Sequence, residues 1–292
     1  MSFAEPRVAV VTGASRGAGK GIALALGAAG MTVYVTGRST TVSLGRLRDT
    51  ALPGTILETA AQITALGGRG VAVACDHRDD AAVQAVFERV ATESGHLDIL
   101  VNNAASIHDT LIDPGTFWEK PLELADILDV GLRSAYVASY FAAPIMVKAG
   151  RGLIAFTSSF GSSCYMHGPA YGAQKAGIDK FAADMAVELA AHGVAAVSLW
   201  LGPQLTERTA AAGRNRPEQY EAFLRQGETP QFNGRIIYAL ARDPQLMTLS
   251  GQTLISAEAA RRYGITEEGG REPPSYRDML GAPRLPHPAK VM

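Results

Sequence analysis

The chain alternates short apolar runs with stretches of helical spacing, and this limits what it can fold into more than any other feature. RVAVVTG (7–13), MTVYVTG (31–37), GVAVACD (70–76), LDILVNNA (97–104), RGLIAFTSS (151–159) and GVAAVSLWLG (193–202) are built from Val, Ile, Leu and Ala with little polar alternation. A strand with one wet face alternates apolar and polar residues, so these strands are covered on both faces. Helical stretches separate them: GKGIALALGAAG, GTILETAAQITALGG entered by Pro53 and closed by two glycines, DDAAVQAVFERVATESG, a long region from about Pro121 to Lys148, and Tyr171 to His192. QTLIS (252–256) is a candidate last strand. The pattern predicts an α/β fold: a three-layer, doubly wound parallel sheet of about seven strands, Rossmann-type.

The 292 residues fit a single such domain, 1–292, with no internal linker or repeat. Residues 39–54 read as an insertion after the second strand and 205–230 as a substrate lid. The tail 271–292 holds five prolines and reads as an extended arm, either against a neighbouring subunit or frayed. A net charge of -1 draws the protein to neither nucleic acid nor anionic lipid. Cys75 and Cys164 give no disulfide framework. The longest uncharged run, 21–37, is broken by Gly27, Gly30 and its threonines, so a helix, a stop and a buried strand are expected there, not a membrane span. With no basic leader at the N-terminus, a soluble cytoplasmic protein is expected. Six scattered histidines lack metal-ligand spacing, so no metal is expected.

TGASRGAGKG follows the first strand and opens the first helix. Glycines there let the backbone turn sharply and approach a pyrophosphate, which then rests on the free N–H groups of the helix. Gly13, Gly17 and Gly19, with Ser15 and Arg16 between them, are the candidates. The second strand ends Thr36-Gly37-Arg38, where a carboxylate would take the ribose hydroxyls of NAD. Arg38, with Arg16 nearby, instead offers forked donors to a 2′-phosphate. NADP(H) is the expected cofactor, ahead of NAD(H).

Tyr171 and Lys175 stand four apart in AYGAQKAG, on one face of a helix. Alone, such a pair is more often a surface contact than a catalytic one. Here TGASRGAG, then NNAA after the fourth strand, then Ser158, then Y-x-x-x-K thirteen residues later occur in order. This set resembles the short-chain dehydrogenase/reductase family over roughly residues 7–206. The 39–54 insertion, FWEKP, DVGLR and SGQTLISAE…YGIT are similar to its branch around dehydrogenase/reductase family member one. The resemblance implies that Gly13, Gly17 and Gly19 hold the pyrophosphate and that Asp76 meets the adenine. It implies that Asn102 and Ala104 support the adenosine side and the sheet, and that Thr206 touches the carboxamide. Ser158 would contact the substrate carbonyl, Tyr171 would be the acid/base, and Lys175 would activate it and hold the ribose. It also implies a homodimer or homotetramer built on the 121–148 and 171–192 helices.

Two positions depart from the family. Asp129-Val130-Gly131-Leu132 has glycine where an asparagine is usual, and a carbonyl there holds a relay water in relatives. Leu201-Gly202-Pro203 shifts the proline of the nicotinamide loop. The expected chemistry follows from Lys175, whose charge would lower the tyrosine pKa from about 10 toward a useful acid/base range. The first reading is an NADP(H)-dependent carbonyl reductase or alcohol dehydrogenase acting on an apolar ketone, aldehyde or secondary alcohol. The alternatives are an NAD-dependent dehydrogenase of the same fold and a catalytically idle NADP(H)-binding sensor. No G-x-S-x-G surrounds Ser158, which argues against a hydrolase. Substrate identity would rest on 106–120, 160–168 and 205–230.

Overall fold

β-Branched and aromatic side chains favour extended backbone, and the apolar runs form strands where the pattern places them. The computed structural model describes residues 7–41, 46–48, 50–215 and 217–291. Seven strands make one parallel sheet: β1 (Val8–Val11), β2 (Thr32–Gly37), β3 (Arg69–Ala74), β4 (Ile99–Asn102), β5 (Gly152–Ser158), β6 (Val194–Trp200) and β7 (Thr253–Ile255). Their order is β3-β2-β1-β4-β5-β6-β7, so the winding reverses between β1 and β4. The expected three-layer fold is what the chain adopts.

Alternate strand residues point to opposite faces, and this splits the interior in two. Ala9, Val11, Val33, Val35, Leu153 and Ala155 pack under α1 (Gly17–Ala28), α2 (Ile56–Ala65) and α8 (Pro230–Arg242). Val8, Val10, Tyr34, Ile154 and Phe156 pack under α3 (Asp80–Ser94), α4 (Ser134–Ala149) and α5 (Pro169–Leu189). Between β6 and α8 lie α6 (Glu207–Asn215) and α7 (Pro217–Gln226).

The structure corrects two boundaries. Pro53 does not open α2: Thr55 caps it, accepting from the Glu58 amide while the Glu58 carboxylate accepts from the Thr55 amide. The region after Pro121 is not one continuous helix. A 3₁₀ turn at Leu122–Ala125 is followed by a π-type turn at Leu128–Arg133, and regular α-helix begins at Ser134. Gly131 breaks the helix, with φ +148° and ψ −42°. By length and composition Leu122–Ala149 could cross a membrane. The break divides it, and α4 buries Ala135, Ala138, Ala142 and Met146 in the second core.

Helices α1 and α8 cross closely. A Cβ built on Gly21 would lie 2.1 Å from the Pro230 Cβ. Gly21→Val should therefore push α8 off α1 and lower unfolding stability by about 1–3 kcal/mol, read from urea denaturation.

Candidate active site

A parallel sheet presents its strand ends, and the helix starts that follow, along one edge; a reversal in strand order opens a crevice there. In this chain that crevice is a cleft of about 1150 Å³. The turn after β1 supplies Gly13, Ser15, Arg16, Gly17 and Gly19 to its wall, and β2 and β3 supply Arg38 and Asp76. β4 supplies Asn103 and Ala104, β5 supplies Ser158 and Ser159, and the loop after β6 supplies Gly202, Pro203, Gln204 and Thr206. Tyr171 and Lys175 reach the same cleft from α5.

The glycine turn is a cradle that side chains would fill. Gly13 has φ +66°, and a Cβ there would sit 2.7 Å from the Ala104 Cα. A Cβ on Gly19 would sit 2.3 Å from the Asn103 amide nitrogen and 2.5 Å from the Gly13 carbonyl oxygen. The Gly17 N–H, at the start of α1, donates to the Glu207 carboxylate at 3.0 Å. An anionic oxygen thus already occupies the helix N-terminus, which is the position a pyrophosphate oxygen would take. The turn fits a dinucleotide.

Other predicted contacts fall differently. The Arg16 guanidinium donates to Ser39 Oγ at 3.0 Å and to the Pro53 and Gly54 carbonyls at 3.2 and 2.8 Å, so it ties down the end of the 39–54 insertion. Arg38 stays exposed, 3.9 Å from the Asp76 carboxylate. Asn102 does not line the cleft; it is 3% exposed and donates to Ser139 Oγ on α4 at 2.9 Å. Its neighbour Asn103 is on the wall and donates to the Thr12 carbonyl at 2.9 Å. Thr206 pairs with Thr209 beside Gly17.

Tyr171 Oη shares a 2.9 Å hydrogen bond with Oγ of Ser159, not of Ser158. Ser158 is 2% exposed, and its hydroxyl donates to the Lys175 carbonyl at 3.3 Å. Lys175 Nζ lies 5.4 Å from the centre of the Tyr171 ring and donates to the Thr157 carbonyl at 3.3 Å. Asp179, one turn further along α5, accepts from Ser198 Oγ at 2.6 Å and from Trp200 Nε1 at 2.8 Å. The edge of the His167 ring meets the Tyr171 ring, centroids 5.1 Å apart. The apolar walls beyond the tyrosine include Ile107, Leu111, Ile112 and Met166. Tyr276, Met279 and Leu280 join them because the C-terminal segment folds back over its own cleft, held by Arg277 and Ser275 on Glu258.

The electrostatics correct one expectation. Tyr171 and Lys175 keep some surface open to the cleft, yet protein encloses their polar ends closely enough for desolvation to dominate. Desolvation pushes the Tyr171 phenol above its ordinary value, against the Ser159 hydrogen bond that favours ionisation. It also pulls the Lys175 ammonium down to about 8, against the pull of Asp179. His167 is exposed overall, yet partial desolvation of its ring holds it below its ordinary value, and Lys120 adds to it.

The short chain dehydrogenase family profile matches residues 7–217. Human dehydrogenase/reductase SDR family member 1 is 41% identical over 281 residues, covering 92% of this chain and 86% of that protein. A 3-oxoacyl-[acyl-carrier-protein] reductase of Synechocystis is 30% identical over 257 residues, covering 87% and 96%. A crystal structure assigned to a short-chain alcohol dehydrogenase from Sinorhizobium meliloti superposes with a TM-score of 0.71 at 30% identity, covering 86% of this chain and 94% of that one.

A lysine whose folded pKa falls to about 8 from 10.5 carries a penalty fully present below pH 8. The penalty fades as the pH rises toward 10.5, where the unfolded chain also sheds the proton. Lys175→Met should raise unfolding stability at pH 7 by about 1–2 kcal/mol. Denaturation measured across this pH range should show the gain shrinking as the pH rises.

Proposed function

The chain belongs to the short chain dehydrogenase family, oxidoreductases that use a nicotinamide dinucleotide, and on that footing we propose that it is an NADP(H)-dependent carbonyl reductase or alcohol dehydrogenase. Its proposed substrate is an apolar ketone, aldehyde or secondary alcohol. One observation carries the reading: Tyr171, its hydroxyl 2.9 Å from Ser159 Oγ, lines the same cleft as the glycine turn. A protein that only bound a dinucleotide would need no proton donor there.

Gly13, Gly17 and Gly19 would hold the pyrophosphate, Asp76 the adenine side, Lys175 the ribose and Thr206 the carboxamide. When bound, the reduced nicotinamide supplies a hydride to the carbonyl carbon. Tyr171 enters this chemistry protonated, because burial holds its phenol un-ionised. It can give that proton to the carbonyl oxygen as charge grows there. Ser159, in contact with the phenol, donates a hydrogen bond to the same oxygen. The Lys175 ammonium then faces the tyrosinate left behind and stabilises it. Ser158, one residue deeper, acts on the helix backbone instead. Ile107, Leu111, Met166 and Met279 favour an apolar substituent on the carbonyl.

The preference for NADP(H) rests on Arg38 and on the lack of a carboxylate closing β2; Arg16 supports it indirectly, by fixing Ser39 and the insertion. A homo-oligomer is part of the same proposal: Tyr136 and Tyr140 stand 52% and 64% exposed on α4, with Tyr136 against Phe181 of α5.

A panel of apolar ketones and aldehydes with NADPH tests the activity. Wild type should turn over, and Tyr171→Phe should lose about 10²-fold or more in kcat. Ser159→Ala should cost more than Ser158→Ala; the reverse order would return the role to Ser158. In fluorescence titration Arg38→Ala should weaken NADPH by about tenfold while leaving NADH nearly unchanged.

A further inference from the structure

Gln174 precedes Lys175 and is 2% exposed, a polar side chain in a position that usually rejects one. Its Nε2 donates to the Gly131 carbonyl at 2.9 Å, and its Oε1 is buried with no donor. Gly131 sits at the break in the helix, where φ +148° disfavours any side chain. A Cβ built on Gly131 would meet Cγ, Cδ and Nε2 of Gln174 at 3.3, 3.4 and 3.4 Å. The glutamine therefore occupies the space that the glycine leaves open. The same turn is pinned on its other side: the Ser106 N–H donates to the Val130 carbonyl at 2.7 Å, and the Gly131 N–H donates to Ser134 Oγ at 3.0 Å. Val130 and residues 103–106 all line the cleft. One amide thus joins the helix of Tyr171 and Lys175 to the wall facing them.

We infer that Gln174 is a positioning residue, its N–H end locking the Gly131 turn against the helix that carries Tyr171 and Lys175. This rests on the reading of Tyr171 and Lys175 as the proton-handling pair. A buried acceptor without a protein donor is ordinarily met by internal water. Tyr171 and Asp179 are the titratable neighbours of Lys175 on its own helix. The turn packed against α5 brings Asp129 and Arg133, the latter paired with Asp80, while β5 and β6 present hydroxyls and the Trp200 indole. Cys164 and His167 flank Tyr171 from the preceding loop.

Two variants of near-equal volume separate this role from packing. Gln174→Met fills the space without an amide. Gln174→Glu keeps both oxygens and regains a donor to the Gly131 carbonyl only when protonated, which burial favours. Gln174→Met should lower kcat about tenfold, with NADPH affinity close to wild type, a larger solvent isotope effect on kcat and a lower thermal unfolding temperature, because the Gly131 carbonyl loses its donor. Gln174→Glu should recover activity relative to Gln174→Met as the pH falls from about 8 to about 6. A Gln174→Met enzyme with wild-type kcat and isotope effect would overturn the inference, as would a Gln174→Glu to Gln174→Met ratio that is flat with pH. Thermal unfolding gives a second readout, independent of turnover. The carboxyl of Gln174→Glu has a raised folded pKa, so its stabilising donation is present at low pH and lost as the pH rises. If no wild-type turnover is found on the carbonyl panel, the proposed activity fails first. The lock is then judged on this unfolding profile: a stability gain on acidification keeps it, and a flat profile rejects it.

Discussion

Lys175 holds an ammonium where water is scarce, and much of the chain around it is arranged to keep that charge in place. Its helix lies against β5 and β6, whose apolar residues exclude solvent from below. The Thr157 carbonyl accepts from Nζ, the phenol of Tyr171 lies above, and Asp179 stands one turn on, fastened by Ser198 and Trp200. Desolvation of a cation is among the larger unfavourable terms in a protein interior. A chain selected for stability alone would place an apolar side chain there, and this is what supports the proposed proton chemistry.

The doubly wound sheet could be read from the sequence because its signal is local and repeated. VAVV, TVYVTG and VAAVSLW each carry their own evidence for burial on both faces. The strand order then follows from handedness and the shortness of connections. The glycine turn, Tyr171 and Lys175 were legible for a similar reason: their spacing within one turn or one helix fixes their relative placement.

What could not be read depends on side-chain direction and on contacts distant in sequence. Ser158 and Ser159 are adjacent, and motif spacing favours the first. The chain leaves the strand at this point, and it is Ser159 that meets the phenol. Asn102 and Asn103 divide in the same way: the first faces α4 and the second faces the cleft. Arg16 looked free to hold a phosphate, yet its guanidinium fastens the insertion thirty-seven residues away. The run of prolines after Arg271 suggested an extended arm, either against a neighbouring subunit or frayed, and only the tertiary fold shows Tyr276 and Leu280 packed beside Phe160 and Trp200. Gly131 stood out as a departure from the family, but the partner filling its place comes from another helix. A glutamine directly before the lysine was the available sign.

Glu207 changes how ligand capture is to be viewed. Its carboxylate rests on the Gly17 amide at the mouth of α1, and it belongs to the first turn of α6. A phosphate seated at this amide, as proposed, would have to displace that carboxylate and with it the first turn of α6. The residues just after Glu207 border the substrate side of the cleft, with Arg208 among its lining. Under the proposed function, seating a nucleotide there would therefore be coupled to the position of the segment bordering the rest of the cleft.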